Sequence, residues 1–119
     1  MAKLRHLAIR TEDTHRLATF YKEVFSMEEL HRARKEGGAI FLTDGYFNLA
    51  ILPNDEQNSP NGLYHFGFEV EDVDGMRSAC NELNAASVID KRPPNREAEY
   101  RVHDPDGNPI DLSKHGWPI

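Results

Sequence analysis

The chain repeats itself at a spacing of 59 residues. Leu4-Arg5-His6-Leu7-Ala8-Ile9-Arg10-Thr11-Glu12-Asp13 lies over Leu63-Tyr64-His65-Phe66-Gly67-Phe68-Glu69-Val70-Glu71-Asp72. Leu, His and the Glu-Asp pair match outright, and large apolar residues match at Leu7/Phe66 and Ile9/Phe68. The segments just beyond the two copies match too. Leu17, Phe20, Tyr21, Val24 and Phe25 recur at i, i+3, i+4, i+7 and i+8, the stripe of an amphipathic helix, with Thr11 or Asp13 as its N-cap. Met76, Ala79, Cys80 and Leu83 stand 59 residues beyond Leu17, Phe20, Tyr21 and Val24, so a second helix presents the same face in the same phase. Both stripes are expected to pack into the core, with Cys80 as a small core residue.

The rest of each half reads as strands and turns. Strands are expected over Glu28–Arg34, Ala39–Thr43 and Phe47–Leu52, broken at Gly37-Gly38 and Asp44-Gly45. In the second half they are expected over Ser87–Lys91, Ala98–His103 and Pro109–Ser113, with Asp104-Pro105-Asp106-Gly107-Asn108 as dense turn chemistry. The polar stretch from Pro53 to Gly62 reads as a linker. The expected architecture is α+β: two tandem βαβββ modules, residues 1–55 and 62–119, forming a curved mixed sheet cup within one domain of 119 residues.

Composition narrows the partners. A formal net charge of −6 argues against nucleic acid or anionic lipid, leaving a small molecule as the default. No apolar run reaches membrane-spanning length, and the first residues pass directly into a strand pattern, so neither membrane span nor signal peptide is expected. Cys80 is the sole cysteine, so no intrachain disulfide forms and a cytoplasmic location is expected.

Side chains alternate across a strand, which sorts the polar ones. Leu7 and Ile9, and likewise Phe66 and Phe68, belong under the helices; His6 and Ala8, and His65 and Gly67, take the opposite face. In the last strand of each half, Asn48 and Ala50, and Asp111 and Ser113, take that same face. Four strands each offer one polar side chain with a small residue two positions later, a pattern suited to a concave face around a ligand. His6, His65 and Asp111 match the two-histidine, one-carboxylate set that holds Fe(II), with Mn(II), Ni(II), Co(II) or Zn(II) also suited. A single strand histidine is more often structural; two at repeat-equivalent positions beside an aspartate are harder to explain that way. Amides bind transition metals weakly, so Asn48 suits a water or substrate better than a metal.

With these residues in view, the chain resembles the vicinal oxygen chelate superfamily, which includes glyoxalase I, extradiol dioxygenases, methylmalonyl-CoA epimerase, fosfomycin-resistance enzymes and bleomycin-binding proteins. The resemblance spans nearly the whole chain. It rests on His6-Leu-Ala-Ile9 before a helix containing Phe20-Tyr21, on Tyr64-His65-Phe-Gly-Phe-Glu-Val-Glu-Asp72, and on Asp104-Pro-Asp-Gly-Asn-Pro-Ile-Asp-Leu112. The resemblance implies metal ligands at His6, His65 and Asp111, the last being Glu in most relatives. Asn48 falls where glyoxalase I-like members carry a fourth ligand, which points to three protein ligands here. It also implies a homodimer, with the metal site built from one chain or two.

On the strand before the Asp104 turn, Tyr100 and Val102 suit the core, which turns Glu99, Arg101 and His103 to the cup face. Arg101 suits a carboxylate, phosphonate or enediolate oxygen, and His103 suits a general acid or base. An exposed edge strand with ordinary polar residues is the alternative. Asn48, Arg101 and Glu99 are the expected substrate contacts. Lys91, Arg92 and Arg96 around Pro93-Pro94 read as surface charge or as a basic lip for an anion. The functional reading is a metal-dependent lyase, oxygenase or transferase of the glyoxalase/dioxygenase type, binding a small oxygen-bearing substrate. The alternative is a metal-free drug-sequestering protein of the bleomycin-resistance kind. Substrate, reaction and native metal are not legible in the sequence.

Overall fold

The computed structural model describes residues 1–83 and 89–119. Its elements run β1 (Lys3–Thr11), α1 (Thr14–Phe25), β2 (Glu28–Arg32), β3 (Ile40–Thr43), β4 (Asn48–Pro53), β5 (Gly62–Glu69), α2 (Val73–Glu82), β6 (Asp90–Lys91), β7 (Tyr100–His103) and β8 (Pro109–Ser113). This is β-α-β-β-β twice, as the repeat predicts. Of the expected strand Ser87–Lys91, residues 87 and 88 lie outside the described residues. Two compact units emerge: an N-terminal unit of His6–Tyr64 with Pro118–Ile119, and a C-terminal unit of Met1–Arg5 with His65–Trp117.

In the N-terminal unit the strand order is β2-β3-β4-β1. The β2/β3 and β3/β4 pairs are antiparallel, while β1 and β4 run parallel with His6 opposite Asn48. A parallel pair needs a crossover between its strands, and α1 with the β2–β3 hairpin supplies it. Ala18, Ile40, Leu42, Leu49 and Ile51 form the buried core, with Leu7, Ile9, Leu17, Tyr21 and Met27 packed on it. Helix α1 opens on Asp13, whose side chain accepts from the Arg16 N–H at 3.1 Å, and closes on Ser26 in the left-handed region at φ 59°. Asp44 closes the β3–β4 turn by accepting from the Tyr46 and Phe47 N–H groups at 2.9 and 2.7 Å.

The C-terminal unit repeats the scheme in the order β5-β8-β7-β6, with β5 and β8 parallel and the other pairs antiparallel. Val70, Val73, Ile89 and Leu112 form its core, joined by Phe68, Met76, Tyr100, Val102 and Ile110. Tyr100 and Val102 thus take the core face assigned to them. The turn before β8 is pinned by Asp104, which accepts from the N–H groups of Asp106 and Asn108 and from the Asn108 side chain at 2.8–3.0 Å. Those bonds, the Asn108 side chain first, hold the Asp104 carboxyl below its ordinary pKa.

The apolar stripe of α1, expected to enter the core, does not pack as a whole: Phe20, Val24 and Phe25 are 50–62% exposed. The buried side is instead Thr14, Leu17, Ala18 and Tyr21, at i, i+3, i+4 and i+7. In α2, Val73 is buried and Met76 packs on the core, but Ala79 and Leu83 are exposed and Cys80 is half-buried. The helices keep their common phase, but the seat of α1 is rotated toward the smaller residues Thr14 and Ala18. Thr14 and Ala18 let the α1 backbone approach the sheet closely, which large side chains on that side would prevent.

Candidate metal centre

His65, Asp111, Arg92 and Arg101 come together within the C-terminal unit. Pairing of β7 with β8 sets Arg101 directly opposite Asp111, and its Nε donates to Asp111 Oδ1 at 2.6 Å. Arg92, just past β6, donates through Nη1 to the same oxygen at 3.1 Å. The other oxygen, Oδ2, lies 3.3 Å from His65 Nε2. In the β5/β8 pair Asp111 is opposite Gly67, so His65 is its diagonal neighbour on the same face. His65 and Asp111 are 7% and 6% exposed. A carboxylate this deeply removed from water needs partners, and two charge-assisted bonds on Oδ1 supply them.

The N-terminal unit pairs His6 with Asn48. Both are buried, Asn48 completely, and they face each other across the parallel β1/β4 pair. His6 Nδ1 lies 2.8 Å from Asn48 Oδ1, and Asn48 Nδ2 donates to the Pro118 carbonyl at 2.8 Å. The small residues expected to leave open space, Ala8 and Ala50, are themselves buried. A cavity of about 540 Å³ in this unit lies between the start of α1 and the β2–β3 connection. Its lining, which includes Asp13, Thr14, Arg34 and Gly38, shares no residue with the His6–Asn48 pair, and the buried polar pair is the better mark of chemistry.

The remaining expected site residues divide. Arg101 belongs to the cluster on Asp111. His103 is exposed at the end of β7, opposite Pro109, on the same strand face as Arg101. Glu99 lies just before β7, where its Oε1 accepts from the Lys114 and His115 N–H groups at 2.9 and 3.3 Å. Burial raises the Glu99 pKa, but hydrogen bonds from Ser113, Lys114 and His115 outweigh it and leave the carboxyl below its ordinary value. A carboxylate so engaged holds the turn after β8. Arg92, placed by sequence on the surface with Lys91 and Arg96, is the residue that sequence reasoning undervalued. Lys91 and Arg96 are exposed as expected.

The His65–Asp111 pair can be tested against a divalent ion. Two ligands about 2.1 Å from one ion stand about 3.0 Å apart on an octahedral edge and about 3.4 Å apart on a tetrahedral one. The observed 3.3 Å falls between these. Imidazole nitrogen and carboxylate oxygen are also the donors that Fe(II), Mn(II), Ni(II) and Zn(II) accept. The pair therefore fits as two ligands. The guanidiniums work against it electrostatically, and among the described residues no three His, Cys, Asp or Glu side chains gather as a ligand set.

Similar solved structures include hypothetical protein BH1468 from Bacillus halodurans C-125, at TM-score 0.70 and 19% identity, covering 93% of this chain and 92% of that one. Methylmalonyl-CoA epimerase from Mycobacterium tuberculosis matches at TM-score 0.69 and 18% identity, covering 92% and 85%. A glyoxalase/bleomycin resistance protein/dioxygenase superfamily member from Vibrio splendidus 12B01 matches at TM-score 0.65 and 19% identity, covering 94% and 97%. At such identities the likeness is one of fold. None of the curated protein sequences compared with this chain matches it. The model of the Glyoxalase/Bleomycin resistance protein/Dioxygenase superfamily matches residues 3–112, and the chain belongs to that superfamily.

Proposed function

We propose that this protein is an enzyme that binds a small, oxygen-bearing, anionic substrate at a divalent metal ion held by His65 and Asp111, with His6 as the third ligand. The observation that carries the reading is the buried His65–Asp111 pair, whose spacing suits two ligands of one ion. His6 enters from the sequence repeat, as the counterpart of His65 in the first half. When bound, the ion supplies Lewis acidity that polarises a substrate oxygen and stabilises charge developing on it.

The chain's own residues have separable tasks in this reading. Arg92 and Arg101 anchor Oδ1 of Asp111, which fixes the carboxylate plane and turns Oδ2 toward His65. Arg101 also brings a positive charge to an anionic substrate. His103, exposed and on the strand face of Arg101, is the proton carrier. One similar structure is described as methylmalonyl-CoA epimerase in complex with methylmalonyl-CoA and NH4+, so epimerisation of acyl thioesters joins lyase, oxygenase and transferase reactions in the screen. The protein acts as a homodimer, which sedimentation equilibrium would report as twice the chain mass.

Activity screening of protein loaded separately with Fe(II), Mn(II), Ni(II) and Zn(II) tests the enzyme reading. A turnover that disappears on chelation and in His65→Gln supports it. A second reading, a metal-free binding protein, is favoured by the two guanidiniums on Asp111, which give the cluster the character of an anion receptor. It predicts ligand binding that chelation leaves unchanged, without turnover.

A further inference from the structure

We infer that Asn48 is a positioning residue that locks the His6 ring in its Nδ1–H form and so makes Nε2 the electron-donating nitrogen. This rests on the proposed function only for the use to which Nε2 is put; the ring state itself is a property of the protein without metal. The Pro118 carbonyl can only accept a hydrogen bond. The Asn48 amide group 2.8 Å from it must therefore be the NH₂. An amide turned the other way would set two oxygens against each other at that distance. The orientation usually assigned by convention is here dictated by chemistry.

With Nδ2 committed to Pro118, the group facing His6 is the amide oxygen, an acceptor. The 2.8 Å contact then requires a proton on His6 Nδ1. A neutral imidazole carries one ring proton, so Nε2 keeps its lone pair. Both residues are buried, so water does not compete for these bonds and a mismatched ring would leave buried polar atoms facing each other wrongly. Their places on the strands bring them together without loop adjustment, because His6 and Asn48 are register partners in the parallel pair. Pro118, 70 residues beyond Asn48, thus sets the state of the His6 ring through this relay. Metal-ligating histidines commonly have the other ring N–H held by a carbonyl or carboxylate. A role for Asn48 in orienting His6 differs from the fourth-ligand and substrate-contact roles considered from sequence.

The test is the ring nitrogen spectrum of metal-free ¹⁵N-labelled protein, recorded with long-range proton–nitrogen correlation at a pH where the ring is neutral. His6 is identified among the six histidines from the spectrum that His6→Gln lacks. The expected result is a pyrrole-type Nδ1 and a pyridine-type Nε2 for His6. Asn48→Leu, which removes the acceptor, should release the ring to the Nε2–H form. Deleting Pro118 and Ile119 should broaden the preference. Metal titration of Asn48→Leu should show affinity lowered by about 10–100-fold. An Nε2–H ring in the unmodified protein overturns the inference, and that spectrum decides even if Asn48→Leu does not fold. A locked Nδ1–H ring in a protein that binds no metal would uphold the inference while sinking the proposed function.

Discussion

Asp111 is the residue on which the most interactions turn. Replacing it by Asn keeps the shape but leaves Arg92 and Arg101, each mostly buried, facing an uncharged amide. Breaking one side of a buried pair costs about 3–5 kcal/mol; the arginines keep some contact with water, so Asp111→Asn is predicted to cost about 3 kcal/mol, read as a fall in the urea midpoint. Arg92→Met should cost less, since Arg101 remains on Oδ1. At this scale the sequence was partly legible. Strand alternation placed His6, His65, Asn48 and Asp111 on one face of their strands, and all four are buried polar residues. Arg92 was not legible as a partner of Asp111, because it follows a two-residue strand and reaches across 19 positions. The partners that hold Glu99 Oε1 were not legible either, because they are backbone N–H groups after β8 and carry no side-chain signal.

Helix ends and faces show where pattern and packing part company. Ser26 ends α1 in the left-handed region, a conformation that costs an L-residue other than glycine roughly 1 kcal/mol. Ser26→Gly is therefore predicted to stabilise the protein by about 0.5–1 kcal/mol, visible as a higher melting temperature. Asp13→Ala removes the cap at the other end and should destabilise by about 1 kcal/mol. The helix existence and phase were legible from period alone. The seat of α1 was not, because Thr14 and Ala18 contribute little to an apolar count while deciding how closely the helix approaches its sheet. Phe20, Val24 and Phe25, read as core, are instead an exposed aromatic-aliphatic face, with Phe20 edge-on to both Tyr21 and Phe25.

For the molecule as a whole, the repeat was the decisive signal: it predicted both β-α-β-β-β halves, and the superfamily match over residues 3–112 agrees. It could not set the β5/β8 register, where Asp111 stands opposite Gly67, whereas in the first half Asn48 stands opposite His6 itself. Stability should also respond to acid through Glu29, whose carboxyl is held at about 2, from an ordinary 4.5, by hydrogen bonds from Arg32 and then Lys22. A lowered folded-state pKa stabilises fully above the unfolded value and ceases to do so as pH falls through the folded one. The difference between the unmodified protein and Glu29→Gln, at most about 1 kcal/mol for such a partly exposed cluster, should therefore shrink between about pH 4.5 and about pH 2 in urea titrations. The proposed chemistry depends on a bound ion. Metal content after equilibrium dialysis of untagged protein against Fe(II), Mn(II), Ni(II) or Zn(II) tests it most directly. One bound ion per chain, lost in His65→Gln, Asp111→Asn and His6→Gln alike, is predicted; no bound ion, or binding indifferent to those three replacements, would contradict it.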